Sequence, residues 1–148
     1  MAETGGVVSS TARPEGASSA VSRLGFKSGQ VVQELGWDED VDDSLRQAIE
    51  DATDGEMIEE AMEPVDVVVL WWRDEDGDVA DGLVDSVTDL RDGGYVWLLT
   101  PKVGQEGYVD ATDLSEGATT AGLALTSTVP VSAEWTASKL VPPKGARH

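Results

Sequence analysis

The chain has no cysteine and a single histidine, His148, at its last position. Without cysteine, disulfides, thiolate nucleophiles and cysteine-ligated zinc sites are excluded. With one terminal histidine, we expect neither a histidine-centred catalytic triad nor a multi-histidine metal site built from this chain alone. No Gly-x-Ser-x-Gly nucleophile motif occurs either. We predict no catalytic residue, no metal and no cofactor, and the composition favours a protein that is not an enzyme while leaving the question open.

Basic residues are also scarce. Ten Lys and Arg stand against 29 Asp and Glu, which gives a formal charge of −19. Such a chain repels nucleic-acid phosphate and anionic lipid, so we expect no direct binding to nucleic acid or to a membrane. It should instead be steered toward a basic protein partner. Acidic inhibitors that imitate DNA share this composition, which makes DNA mimicry an alternative. The oligomeric state stays open.

Long hydrophobic runs are lacking too. The longest, from Val67 to Trp72, is far too short to span a bilayer. The stretch from Met1 to Ser22 has no basic start followed by an apolar run, so no signal peptide is predicted and the cytoplasm is the expected location. The length and the 40% hydrophobic content suit a single domain. We predict a flexible tail over 1–23, a domain over 24–141 and a second flexible tail over 142–148.

What the sequence does contain is a strand, a helix and a second strand between Val65 and Thr100. Residues 65–72 are almost continuously apolar and β-branched, as in strands that are covered on both faces. From Val79 the apolar residues recur at helical spacing as far as Leu90, and we expect that helix to stop at Gly93-Gly94. Residues 95–100 form the second buried strand. Burial on both faces predicts a parallel crossover.

The other predicted elements follow from the same patterns. In chain order they are a strand over 30–35, a helix over 42–52, a helix over 111–121, and an antiparallel pair of strands over 123–131 and 135–141. Pro130 is placed at an edge or a bulge. Residues 56–61 fit either a short helix or a weak strand. Together these elements predict an α/β fold with a mostly parallel sheet flanked by helices.

Three of these segments resemble the central strand–helix–strand of class I methyltransferases: Asp66 to Val69, Leu83 to Leu90, and Gly93 to Leu98. In that family a glycine pair precedes the fifth strand, and two antiparallel strands finish the sheet, as the segments 123–131 and 135–141 do here. The resemblance implies a Rossmann-like, methyltransferase-like scaffold that closes with an antiparallel C-terminal strand pair.

The stretch from Gly25 to Pro142 is also similar to DUF3052, an uncharacterised bacterial family. The runs Gly36 to Asp40 and Val69 to Arg73 look like its actinobacterial form. This resemblance covers most of the chain outside the N-terminal tail. It implies a lineage and a fold, and it brings no established activity.

One departure from the methyltransferase pattern bears on cofactor binding. An adenosyl cofactor needs a glycine-rich turn after the first strand, where the backbone must approach the ligand closely. Here that strand ends in the single Gly36, and Trp37 and a row of acids follow at once. A second strand, whose terminal acid would hold the ribose hydroxyls, is not clearly present. We therefore expect a scaffold that does not bind S-adenosylmethionine.

Ligands of parallel sheets usually bind beyond the carboxyl ends of the strands. Because the predicted parallel strands end near residues 36, 72 and 100, we expect a ligand or partner edge there that combines indoles with bases. Its members are Gly36, Trp37, Trp72, Arg73, Thr100 and Lys102. The alternative is that Trp71 and Trp72 are buried on opposite faces of the sheet and that Arg73 is paired with neighbouring acids.

The loop after the central strand invites comparison with a calcium loop. Asp74, Asp76 and Asp78 occupy its first, third and fifth positions. The sixth position requires glycine and is Val79 here, and the twelfth requires glutamate and is Asp85. Because the match fails at these positions, we interpret the acids as a solvated loop that caps the following helix.

Taken together, these patterns favour a non-catalytic, acidic interaction or regulatory protein on a degenerate methyltransferase-like scaffold. The alternative is a small-molecule binding protein or enzyme that takes a nucleotide or an S-adenosyl compound at the strand ends. In that case Trp37, Trp72 and Arg73 would contact the ligand.

Overall fold

The computed structural model describes residues 20–142, so residues 1–19 and 143–148, most of the two predicted tails, lie outside the described residues. Residues 20–24 are helical and bury Ala20, Val21 and Leu24 in the core. The packed domain therefore begins before residue 24, the predicted boundary. Within residues 20–142, no helix is both long enough and apolar enough to cross a bilayer.

Five strands form one mixed sheet. They are β1 (Val32–Leu35), β2 (Val65–Trp71), β3 (Leu90–Pro101), β4 (Ala124–Pro130) and β5 (Trp135–Val141). Their order across the sheet is β1-β2-β3-β5-β4. The first two pairs are parallel and the last two are antiparallel, which confirms the predicted α/β fold with its closing strand pair. Pro130 ends the edge strand β4, where its missing N–H breaks no ladder.

Three helices of the described range lie against the faces of the sheet. They are α1 (Asp43–Thr53), α2 (Val79–Ser86) and α3 (Ala111–Thr120). Each begins at an aspartate whose carboxylate accepts a backbone N–H of the first turn, and these caps are Asp42, Asp78 and Asp110. A carboxylate at this position satisfies an unpaired donor and complements the helix dipole. Part of the acidity of this chain therefore serves to start its helices.

The sheet carries a hydrophobic core on each face. On β2, Val67, Val69 and Trp71 join the core beneath α1 and the helical residues 20–24. Val68 and Leu70 face the opposite core, which α2 and α3 cover. The alternation explains why residues 65–71 are apolar almost throughout, because both faces of this central strand are buried.

The predicted end of the second helix is wrong. α2 ends at Ser86, and β3 already begins at Leu90, so Gly93 and Gly94 lie within a strand. A Cβ on Gly94 would lie 2.8 Å from the carbonyl oxygen of Asp66. The glycine is therefore explained by the close approach of β3 to β2, not by the end of a helix.

Residues 56–61, which fit both a helix and a strand in sequence, contribute one parallel bridge beside β1. The Ile58 N–H donates to the carbonyl of Val32 at 2.9 Å, and the Glu34 N–H donates to the carbonyl of Ile58 at 2.7 Å. The second strand of a methyltransferase-like sheet is thus reduced here to a single point of contact.

Candidate functional site

The carboxyl ends of β1 and β2 meet at Gly36. This residue has φ of 78°, and a Cβ on it would lie 2.2 Å from the carbonyl oxygen of Trp71. Glycine is required on both counts, because the left-handed conformation disfavours a side chain and the neighbouring strand leaves no room for one. The turn after β1 is therefore packed against β2 and does not open around a ligand.

Arg73, the second residue after β2, closes this edge. Its Nη1 donates to the carbonyl of Gly36 at 2.7 Å, and its Nε donates to Asp40 Oδ2 at 3.0 Å. A second guanidinium nitrogen also contacts the Asp40 carboxylate, which makes the pair bidentate. The guanidinium carbon lies 5.5 Å from the centre of the Trp135 ring. Although it is charged, Arg73 is buried, with 5% of its surface exposed.

The same arginine joins two acidic segments. Asp76, in the short 3₁₀ turn Asp74–Asp76, accepts the backbone N–H of Arg73 at 2.9 Å, and its carboxylate lies 3.4 Å from Nη1. Asp40 comes from the other segment, before α1. The hydrogen bond from Arg73 holds the pKa of the Asp40 carboxyl below its usual value of 3.8, against the opposing effect of burial. This arrangement agrees with the predicted alternative, in which Arg73 is paired with neighbouring acids.

A second buried ion pair lies on the α1 side of the same edge. Glu34 accepts from Arg46 Nε at 2.6 Å and from Arg46 Nη2 at 2.7 Å. It also accepts the indole N–H of Trp71 at 2.9 Å. The carboxylate is 4% exposed, so its charge is held by these three donors and not by water.

These contacts bear directly on whether the edge suits S-adenosylmethionine, the cofactor that a methyltransferase-like sheet implies. The space beside Gly36 contains the Trp71 carbonyl, and the carbonyl of Gly36 accepts from Arg73. The acid at the end of β1, Glu34, is bound by Arg46. The residues at the strand ends therefore do not fit the cofactor.

The remaining members of the predicted edge lie in three different places. Trp37 is exposed over 51% of its surface, beside the acidic segment before α1. Trp72 packs against α2, where its ring would meet a Cβ on Gly82 at 2.6 Å, so it belongs to the face opposite Trp71. Thr100 and Lys102 line a separate cavity. The structure thus brings Gly36 and Arg73 together and separates the others.

That cavity opens between the end of β3, the strands β4 and β5, and α3, and has a volume of about 410 Å³. Its lining consists of Thr100, Pro101, Lys102, Val103, Tyr108, Val109, Ala111, Leu114, Leu125, Thr128, Thr136 and Ser138. Most of these side chains come from elements for which the sequence predicts no role in binding. No local motif marks them, because the cavity arises from the way α3 lies across the sheet.

Two acids of the loop that was compared with a calcium loop have structural partners. Asp76 binds Arg73, and Asp78 accepts the Ala80 N–H at 3.0 Å as the cap of α2. Among the residues that the structure describes, no group of three or more acidic or histidine side chains is arranged to hold a metal ion.

Comparison with known proteins relates this chain to uncharacterised actinobacterial proteins. The family model "Protein of unknown function (DUF3052)" matches residues 21–144. The uncharacterised protein Rv2239c of Mycobacterium tuberculosis is 49% identical over 129 residues, which cover 86% of this chain and 81% of the relative. The uncharacterised protein Mb2263c of Mycobacterium bovis matches to the same extent.

Solved structures relate the fold to methyltransferases. The mitomycin 7-O-methyltransferase MmcR matches with a TM-score of 0.61 at 13% identity, over 88% of this chain and 54% of its own. CalO1, a methyltransferase in calicheamicin biosynthesis, matches with a TM-score of 0.61 at 17% identity, over 87% of this chain and 53% of its own. The chain thus spans about half the length of these two enzymes.

A smaller SAM-dependent methyltransferase from Aquifex aeolicus matches over 84% of this chain and 88% of its own, with a TM-score of 0.56 and 13% identity. At such identities the likeness concerns the fold alone. The family match over most of the sequence and the relatives at 49% identity are decisive: the chain belongs to the DUF3052 family and has a methyltransferase-like Rossmann scaffold.

Proposed function

We propose that this protein is a non-catalytic interaction or regulatory protein that binds a basic protein partner on a methyltransferase-like scaffold. The observation that carries the proposal is the position of Arg73. This buried arginine fills the sheet edge where a cofactor would enter and joins two acidic segments beside an exposed indole. The edge is thus suited to contact another macromolecule through its outer surface.

We name this surface the acidic rim and define it as Trp37 with residues 38–43 and 74–78. The basic residue bound to both segments, Arg73, is itself buried, so the outward charge of the rim is negative. The exposed carboxylates on it are Asp38, Glu39, Asp40, Asp43, Asp74, Glu75, Asp76 and Asp78. A surface of one sign accelerates encounter with an oppositely charged partner.

Trp37 adds an exposed aromatic surface to the charged groups of the acidic rim. Half of its indole is exposed beside the carboxylates, and tryptophan is enriched among the residues that dominate binding energy in protein interfaces. An indole face also attracts Lys and Arg side chains through its π electrons. We therefore propose that Trp37 anchors a basic residue of the partner while the acids orient it.

The test is affinity capture from an actinobacterial lysate with the full chain as bait. We expect a partner that elutes as salt rises, because the rim carboxylates are screened. Trp37→Ala should lose the partner, whereas Met62→Ala, which removes another exposed side chain away from the rim, should retain it. The absence of any salt-sensitive partner, or equal capture by both variants, would overturn the proposal.

The second candidate is a protein that binds a nucleotide or an S-adenosyl compound at the strand ends. The fold favours it, and the contacts of Arg73 and Glu34 oppose it. A thermal-shift panel of these compounds separates the two, since a tight ligand at saturating excess raises the melting temperature by several degrees. We also propose a cytoplasmic location, in keeping with the acidity of the chain.

A further inference from the structure

We propose that the cavity between β3, β4, β5 and α3 binds a small carboxylic acid with an apolar body. This site is distinct from the acidic rim, because its lining includes neither Trp37 nor any residue of 38–43 or 74–78. Its volume of about 410 Å³ lies within the range of small-molecule pockets. Three properties of the lining define the ligand: apolar walls, two hydroxyls, and an ammonium that has no carboxylate partner within residues 20–142.

The walls of the cavity suit an apolar body. Val109 and Leu114 are buried behind it, while Val103 and Leu125 are exposed around its opening, 76% and 42% respectively. Exposed apolar side chains that gather around one cavity differ from the isolated ones found on any surface. An aliphatic or aromatic group inside the cavity would cover all four from water.

The floor of the cavity presents two hydroxyl groups. Thr100 and Ser138 are 5% and 3% exposed, yet neither side chain forms a hydrogen bond with any residue in the range 20–142. Both residues lie on the same face of the sheet as Val96 of β3 and Leu140 of β5. Both residues line the cavity, so a ligand with a hydrogen-bonding group would find two hydroxyl partners there.

The ammonium group of Lys102 indicates that the hydrogen-bonding group of the ligand should be negatively charged. In a chain with so many acids, Arg46, Arg73 and Arg91 each lie within 4 Å of a carboxylate. Lys102 lines the cavity with no carboxylate oxygen of the described range within that distance. Its backbone is fixed, since its N–H donates to the carbonyl of Glu134 at 2.8 Å. An ammonium and two hydroxyls that line one cavity, with no partner for these groups in the part of the chain that the structure describes, suit a carboxylate ligand.

The test uses octanoate and the matched neutral alcohol, 1-octanol, titrated into the full chain by calorimetry and by NMR. We expect saturable 1:1 binding of octanoate with chemical shifts confined to the cavity lining. Lys102→Met should weaken octanoate binding about tenfold, as loss of one charge-assisted hydrogen bond predicts, and should leave octanol binding unchanged. Lys27→Met makes the same charge change at an exposed site outside the cavity and should have no effect.

A blocking variant separates the cavity from the rest of the surface. Leu125→Trp places a larger side chain at the partly exposed opening on edge strand β4, where folding should tolerate it, and it should abolish binding of both probes. The proposal is overturned if octanoate shows no saturable binding or if the two lysine variants behave alike. NMR contacts that place residues 1–19 or a second copy of the chain in the cavity would also overturn it.

Discussion

At the strand-end edge of the sheet, polar side chains are paired at the β1–β2 end and unpaired, within the described residues, at the β3–β5 end. Where β1 meets β2, Glu34 and Arg73 are buried and their charged groups are paired. Where β3 meets β5, Thr100 and Ser138 have a similarly low exposed fraction, but their hydroxyls have no partner in the described range and line a cavity. Burial alone therefore does not distinguish a framework residue from a binding residue. The distinction lies in whether the polar group is held by a protein partner or lines a cavity that a ligand can enter.

The comparison also shows that ion pairs can fill one end of a sheet edge while a cavity lies at the other end. Glu34 lies in β1 and Arg73 follows β2, and their ion pairs occupy the ends of these two strands. The cavity under α3 is lined by other side chains, although Arg73 lies against Trp135 at the start of β5. We expect substitutions in the paired end to alter stability and substitutions in the open end to alter binding.

The largest effect should come from Arg46→Met. The variant leaves the Glu34 carboxylate buried without its guanidinium, which should lower the free energy of unfolding by about 3 kcal/mol or more. Urea denaturation at pH 7 measures it. The control is Arg91→Met, whose exposed pair with Asp66 at 3.1 Å should contribute less than about 1 kcal/mol. Similar losses in the two variants would remove the distinction between a buried pair and a surface pair.

A smaller, pH-dependent loss should follow Arg73→Met. The variant removes the donor to Gly36 and Asp40, and we expect the free energy of unfolding to fall by about 2 kcal/mol at pH 7. Arg73 lowers the Asp40 pKa in the folded state, so this contribution is complete above the unfolded value of 3.8 and is lost as pH falls through the lower, folded value. Urea titrations from pH 7 to pH 3 should show the gap between wild type and variant narrowing below about pH 3.8. A gap that widens toward acid would contradict the pairing.

The smallest effect should distinguish two buried serines. Ser86 donates to the carbonyl of Leu83 at 2.7 Å, so Ser86→Ala should cost about 1 kcal/mol. Ser138 has no side-chain partner within residues 20–142, so Ser138→Ala should leave the free energy of unfolding unchanged or raise it by up to about 1 kcal/mol. Denaturation without ligand gives both values. An equal loss for Ser138→Ala would mean that its hydroxyl is already satisfied.

Much of the frame could be predicted from local patterns. The apolar run in β2 predicts a strand buried on both faces, and the aspartates before α1 and α2 predict helix starts. These features depend on neighbours in sequence, which is why they are visible there. The end of α2 could not be placed, because Gly93 and Gly94 fit a helix stop as well as they fit a strand that passes close to its neighbour.

The site was less accessible to sequence reasoning, because its contacts join distant residues. The sequence predicts Arg73 as part of the edge, but its partner Asp40 lies 33 positions away, among several acids that are equivalent in sequence. The predicted edge also unites Trp72 with Trp37, although strand alternation directs Trp72 to the face covered by α2. The cavity around Lys102 has no motif in the sequence, because four elements that are separate in sequence, β3, α3, β4 and β5, form its walls.

The bridge at Ile58 affects how readily the edge of the sheet can associate with other molecules. An uncovered outer strand offers its backbone groups to other molecules, and such edges promote aggregation. Ile58 occupies the outer side of β1 at its centre, pairing with the backbone of Val32 and Glu34. At the opposite margin β4 ends in Pro130, whose carbonyl accepts from Arg23 at 3.1 Å. The bridge at Ile58 thus occupies backbone groups on the outer edge of β1, which should disfavour edge-to-edge association between molecules.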